Sequence, residues 1–221
     1  MHRNNEKIRR IRKELLSWYR KNGRDYPWRR TRDPYRILMA EIMLQRTKAD
    51  QVVPVYKEFI RCFPNPASLY KADPERIRSY FSRLGLMWRA DLVTKFAAEL
   101  VEKFGGRIPS NRDQLLSLPS IGEYIADAIL SFAYGKDVAV VDSNVCRILS
   151  RIFGLKPRGE ARRDKQFRIL AQSLIPPGRS REFNWAMIDF ASIICTPRKP
   201  KCGECPLRPI CLYMDGRNGS S

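Results

Sequence analysis

Residues 118–142 read LPSIGEYIADAILSFAYGKDVAVVD, and this stretch decides the fold. It opens with a turn signal, Leu-Pro-Ser-Ile-Gly, set between two helical patterns: Gln114, Leu115 and Leu118 before it, Tyr124, Ile125, Ala128 and Ile129 after it. The pattern predicts a helix-hairpin-helix over about residues 112–133. Gly122 lets bare backbone approach a ligand, and the second helix begins there with unpaired N–H groups aimed outward. Such a helix end favours a phosphate. An apolar run from Val138 to Val141 then leads to Asp142 and is the main strand signal of the chain. Asp142 stands where the N-cap of a helix over 143–153 is expected. Capping and catalysis are both open to it, because a cap fixes the carboxylate and leaves one oxygen free.

Outward from this segment, the chain of 221 residues is long enough to bury a sizeable core, as one domain or two small ones packed together. Hydrophobic residues make up 43 % and charged residues 29 %, as in ordinary globular proteins. No apolar run approaches the roughly 20 residues of a membrane span. The N-terminus, MHRNNEKIRRIRKELL, reads as a charged helix and not as a secretory leader, so a cytoplasmic protein is expected. A formal charge of +19 is extreme, and a polyanionic partner relieves the self-repulsion it implies. Basic residues crowd two regions, 3–36 with thirteen Lys or Arg against four acids and 156–168 with six against two. Both read as phosphate-facing surfaces whose binding weakens steeply with salt. A strongly amphipathic basic helix of the membrane-binding type is missing from the pattern.

In chain order, periodicity and breakers predict helices over 5–21, from residue 34 into the forties, over 48–59, 66–71, 74–82, 90–104, 143–153, 162–174 and 182–195. The expectation is an all-α protein. Trp28, in an Arg-rich loop, reads as a packing anchor. Glu41 is surrounded on every side by apolar residues of its own helix, so its carboxyl must be paired, protonated or lining a pocket. Gly85-Leu86-Met87 is an exposed-looking apolar turn between two helices, with burial under the neighbouring helices its ordinary explanation. Asp189 reads as structural.

Cys195, Cys202, Cys205 and Cys211 have the spacing C-x6-C-x2-C-x5-C. Disulfides are disfavoured in a cytosolic chain. Four thiolates suit either zinc or an iron–sulfur cluster, although zinc sites usually draw their ligands in pairs from two short loops. An electron carrier would not need the long basic helical chain that precedes these ligands. Cys62 and Cys146 stand alone and read as buried hydrophobes.

The motif LPxxGxx, followed eighteen residues after its seventh position by the Asp of VD, resembles the helix-hairpin-helix-Gly-Pro-Asp superfamily of DNA glycosylases. The cysteine spacing is similar at every cysteine to the iron–sulfur loop of the endonuclease III branch, and the similarity, shared with adenine mismatch glycosylases, runs from about Tyr26 to Cys211. The resemblance implies a two-lobed all-α fold: a six-helix domain over 26–136 carrying the hairpin, and a second domain of 1–25 with 137–221. The cleft between them would be the active site, faced by Tyr124 and Asp142. It implies a structural [4Fe–4S] cluster on Cys195, Cys202, Cys205 and Cys211, shaping a basic loop of Arg198, Lys199, Lys201 and Arg208 against DNA.

The reaction implied is excision of a base flipped out of double-stranded DNA. Asp142 would stabilise the sugar cation and direct water, with Asn144 orienting it. Glu41 matches the catalytic Glu of adenine mismatch glycosylases, followed by MLQ as there, whereas endonuclease III has no acid at this place. Gln45 would fill the gap in the duplex, Arg46 touch the opposite base or a phosphate, and Leu86 supply an apolar wedge. Leu118, Ser120 and Gly122 belong to the phosphate-binding turn. Tyr124 replaces the lysine that forms a Schiff base in endonuclease III, which implies a monofunctional enzyme. That tyrosine, with no further C-terminal domain, resembles the archaeal thymine-DNA mismatch glycosylases, which remove T or U opposite G. Excision of adenine from A·G mispairs and a glycosylase/lyase activity are the alternatives. A monomer acting on mismatched DNA in a prokaryotic cytoplasm, nucleoid-associated when bound, completes the expectation.

Overall fold

The structure is a computed structural model that describes residues 2–213, with side chains from Asn5 onward. Among the described residues it is all-α. In chain order the helices are α1 (His2–Asn22), α2 (Pro34–Leu44), α3 (Ala49–Cys62), α4 (Pro66–Tyr70), α5 (Pro74–Ser82), α6 (Met87–Phe104), α7 (Arg112–Leu116), α8 (Glu123–Phe132), α9 (Ser143–Phe153), α10 (Lys165–Leu174) and α11 (Ser180–Ile193). No helix among the described residues is long and apolar enough to cross a membrane. The chain divides into two compact units, one running from Asp25 to Tyr134 and the other made of residues up to Arg24 with those from Gly135 onward.

The unit of residues 25–134 holds α2 to α8, seven helices where six were expected, two of them only five residues long. Its helices start where side chains cap them. Asp33 accepts from the amides of Tyr35 (2.8 Å) and Arg36 (3.2 Å) ahead of α2, with Pro34 in the first turn. Asn65 forms a capping box with Ser68 ahead of α4. Asp73 and Asn111 cap α5 and α7. Helix α2 is apolar nearly all round and is enclosed, packing on α3 and α8. Trp28 is the packing anchor expected, 4 % exposed, stacked on Tyr26 at 4.9 Å and edge-on to Tyr56 at 5.4 Å.

In the other unit, α1 presents Ile11, Leu15 and Leu16 to α10 and α11, and each such burial stabilises by about 1.5–3 kcal/mol. Arg12 of α1 caps the C-terminus of α10, donating to the carbonyls of Ser173, Leu174 and Ile175 at 2.8–3.0 Å. Asp189 on α11 is fully buried and structural, as expected. Its carboxylate holds both the backbone amide (2.9 Å) and the guanidinium (2.6 Å) of Arg24.

Residues 138–141 are not a strand. Among the described residues no strand pairs with them, and side-chain amides replace a partner backbone: Ala139 N–H donates to Gln172 Oε1 (3.0 Å), Val140 N–H to Asn184 Oδ1 (3.1 Å), and Asn184 Nδ2 to the Val138 carbonyl (2.8 Å). Buried backbone polar groups are thereby satisfied without a ladder. The expected helix over 162–174 begins at Lys165, because Asp164 caps it and residues 161–163 form a 3-10 turn.

Candidate functional site

The hairpin forms as α7, a turn, and α8. Leu118 and Ile121 are 3 % and 6 % exposed and fasten the turn to the core, so Leu118 offers a ligand backbone only. Ser120 takes φ +68°, a costly left-handed conformation for a non-glycine, and its buried Oγ has no hydrogen-bond partner. Gly122 is the exposed N-cap of α8, with no side chain capping the helix amides, and a Cβ placed there would meet nothing within 4 Å. The approach to those amides is open, as anion binding requires. Tyr124 is half-buried in the first turn of α8.

Arg112 on α7 donates to buried Asp127 on α8 at 3.0 Å and fastens the two arms of the hairpin. Burial disfavours the Arg112 charge, and Asp127 and Glu123 more than restore it. Asp127→Ala strands this cation and is expected to cost about 2 kcal/mol, below the full range for a buried pair because Arg112 is partly exposed. Thermal melting measures that loss, and duplex binding weakens with it if the hairpin holds the backbone.

At the end of α2, Glu41 is 5 % exposed. Gln45 follows the helix in extended conformation and is half-buried. Arg46 is exposed with φ +62°, a second strained non-glycine.

Leu86 does not form an exposed wedge: it is 4 % exposed. The cause is the ending of α5. Gly85 (φ +68°) donates to Ser82 O at 2.9 Å and Leu86 N–H to Phe81 O at 2.9 Å, which is a Schellman motif. In that motif the residue after the glycine folds back on the helix, and here it is Leu86. The exposed apolar side chains are the next two: Met87 (56 %), part of the turn that looks exposed in the sequence, and Trp88 (55 %), which sequence reasoning missed.

Asp142 is half-buried and caps α9, Oδ1 accepting from Val145 N–H at 2.8 Å. Its other oxygen is not idle: Oδ2 accepts from Asn144 Nδ2 at 2.7 Å. Each carboxylate oxygen has two lone pairs, so room for a ligand remains. Asn144 is held at both ends, since its Oδ1 accepts from Arg147 Nη1 at 3.0 Å, which fixes it against Asp142 and leaves one Nδ2–H and one Oδ1 lone pair for a further partner. Arg147 donates further to the carbonyls of Cys195 and Ala191, both at 2.9 Å. A continuous hydrogen-bonded path thus joins Asp142 to the backbone of the first cysteine of the loop.

Arg151, one turn later on α9, donates to Cys195 Sγ (3.3 Å) and to the carbonyls of Thr196 (2.7 Å) and Pro197 (2.8 Å). Burial pushes the Cys205 thiol up to about 11; the Leu207 amide opposes this and Cys211, Cys195 and Cys202 add to it. Four thiols close enough to feel one another make thiolates costly without metal cations. Among the described residues no three potential ligands converge on a single ion. Four thiols that influence one another are a ligand set that an iron–sulfur cluster takes. Such a group, held by Cys195, Cys202, Cys205 and Cys211, supplies a covalent knot for a loop whose Arg198, Lys199, Lys201 and Arg208 are exposed.

Of the lone cysteines, Cys146 is a buried hydrophobe whose thiol burial raises to about 11. Cys62 is not: half-buried, it accepts from Tyr80 Oη at 3.1 Å, which with Arg76 and Arg61 lowers its pKa.

Comparison with known proteins bears on these residues directly. Residues 39–177 match the HhH-GPD superfamily of base excision DNA repair proteins, and residues 195–211 match the iron–sulfur binding domain of endonuclease III, whose [4Fe–4S] cluster is the cofactor of this loop. The chain is 39 % identical to a thymine/uracil-DNA glycosylase of Pyrobaculum aerophilum, over 94 % of this chain and 93 % of that one. It is 41 % identical to a thymine-DNA glycosylase of Aeropyrum pernix, over 95 % and 96 %. A solved thermostable thymine-DNA glycosylase superposes with a TM-score of 0.92 at 36 % identity, over 96 % of this chain and 99 % of that one. With a family match across more than half its length and relatives of this identity end to end, the chain belongs to the HhH-GPD superfamily of base excision DNA repair proteins.

Proposed function

We propose that the protein is a monofunctional DNA glycosylase that removes thymine or uracil mispaired with guanine, acting as a monomer on chromosomal DNA in the cytoplasm. Identity of about 40 % over nearly the whole length to glycosylases named for these two bases supports the substrate. The single observation that carries the mode of action is Tyr124 in the first turn of α8, since a phenol cannot form an imine with the sugar.

The reaction breaks the bond between C1′ and the base and adds water at C1′, one proton of the water remaining on the new C1′ hydroxyl and the other ending on the leaving base. Positive charge grows on the sugar in the transition state, and the Asp142 carboxylate, fixed by Val145 and Asn144, is its counter-charge. Glu41, the buried carboxyl group of α2, is assigned to proton transfer at the departing base. Tyr124 positions the pyrimidine through its ring or hydroxyl. The open amides of α8 anchor a phosphate, with Ser120 and Gly122 shaping the turn. The excess of basic residues supplies salt-sensitive affinity for the duplex.

The test is strand nicking after alkali on duplexes carrying each mispair, labelling one strand at a time. Release of T or U opposite G, with nicks only after alkali, is expected; release of adenine from A·G, or nicks without alkali, overturns the assignment. Tyr124→Lys is expected to gain an adduct trapped by borohydride. A folded, base-releasing variant that never yields the adduct removes Tyr124 from the attacking position.

A further inference from the structure

The start of α6 combines features that folding alone does not call for. Arg89 in its first turn is 6 % exposed, yet its Nε has no hydrogen-bond partner and Nη1 reaches only the Ile42 carbonyl, at 3.5 Å. A buried guanidinium is normally paired with an acid. Here burial lowers its basicity and the next influence is another cation, Arg46, just beyond α2. The same turn has no acidic residue and no side-chain cap, so the helix dipole adds positive charge to positive charge. Beside this stands Trp88, 55 % exposed, its ring 4.3 Å from the Arg89 guanidinium, with Met87 equally exposed. A protein seldom leaves a buried cation unpaired and an indole in water at one corner without a ligand for both.

We propose that this corner is a nucleotide-binding subsite, Arg89 and Arg46 taking a phosphate and Trp88 stacking on a base displaced from the duplex, so that Trp88 selects DNA whose stacking is already interrupted. The chemistry fits a nucleotide on each count. An unneutralised pair of guanidiniums matches a phosphate, an exposed indole matches the π-face of any base, and the guanidinium behind the indole holds it in place. Paired, stacked bases offer no face to Trp88; a mispair or an abasic gap does. The subsite deepens the glycosylase reading and rests on it, by giving the enzyme a means of recognising weakened base steps apart from the chemistry at Asp142.

The experiment compares wild type with Trp88→Phe, Trp88→Ala and Arg89→Met. Binding is measured to a duplex with a stable abasic analogue and to its fully paired counterpart, and base release is measured in single turnover. Tryptophan emission of the wild type is expected to be quenched by the interrupted duplex, with most of the quench absent in Trp88→Phe. Trp88→Ala is expected to weaken binding to the interrupted duplex about 5- to 100-fold and to leave the paired duplex unaffected. Arg89→Met removes an unpaired buried charge, so it is expected to melt no lower than wild type while losing affinity. Equal quenching in wild type and Trp88→Phe, with unchanged affinity in Trp88→Ala, overturns the subsite. So does an Arg89→Met variant that melts well below wild type and binds normally, because Arg89 is then structural. A wild type that quenches on interrupted DNA but releases no base from any mispair refutes the glycosylase reading and leaves the subsite standing.

Discussion

Asp142→Asn is expected to lower the single-turnover rate of base release about 10²- to 10⁴-fold, with DNA affinity and melting temperature close to wild type. The separation follows from what the carboxylate does in the free protein. Oδ1 caps α9 through the Val145 amide, and asparagine is as good an N-cap as aspartate, so that bond survives. The bond from Asn144 Nδ2 to Oδ2 is lost where an amide nitrogen replaces oxygen, a cost of about 1 kcal/mol. What vanishes entirely is the negative charge, the one property that a cationic sugar requires. Asp142→Ala, by contrast, removes cap and charge together and is expected to lose stability as well as rate. The measurement is quenched-flow or manual sampling of base release with enzyme in excess over a G·T duplex, beside a melting curve of each variant. An Asp142→Asn enzyme within a few-fold of wild-type rate would mean that the side chain is only a cap.

Most helix boundaries were legible because they are written in single side chains. Asp33, Asn65, Asp73, Asn111 and Asp142 each stand at a helix start and each accepts a backbone amide there, whereas the cap at Asp164 was not read and its helix was placed three residues early. Residues 138–141 were misleading for the opposite reason. What satisfies their backbone comes from Gln172 and Asn184, 33 and 44 residues away, and nothing in an apolar run announces a side-chain partner at that distance. Leu86 could have been read better, since a glycine followed by a large apolar residue after a helix is the signature of an ending that buries the second residue. The exposure of Met87 and Trp88 then follows, because the chain must turn outward to begin α6. The chemical roles came from resemblance and not from periodicity: a half-buried Tyr124 and a capping Asp142 look like ordinary helix residues until the hairpin and the cysteine loop are read together.

Arg147→Ala is expected to destabilise the protein by about 3–6 kcal/mol, since it leaves the Asn144 amide oxygen and the carbonyls of Cys195 and Ala191 without their donor, at about 1–3 kcal/mol each. Added independently the three losses would reach about 9 kcal/mol, but they share one side chain and are not independent, so the lower part of that range is expected. For a chain of this size each kcal/mol lowers the melting temperature by about 2–4 °C, which puts the shift near 10 °C or more. Burial disfavours the Arg147 charge and neighbouring Arg151 adds to this, while Cys195 and Asp142 on either side offset it only in part. Its removal should therefore be felt in both directions. Towards the cysteines, the loop loses a tether of its first ligand residue, and iron content per purified chain is expected to fall. Towards Asp142, the Asn144 amide is no longer held, and base release is expected to slow by more than DNA binding weakens. Arg147→Lys keeps the charge without the planar fork and is expected to rescue little. The decisive comparison is made at a temperature well below both melting transitions, where every variant is folded. A variant that there holds its full iron and releases base at the wild-type rate would reduce the path from Cys195 to Asp142 to packing alone.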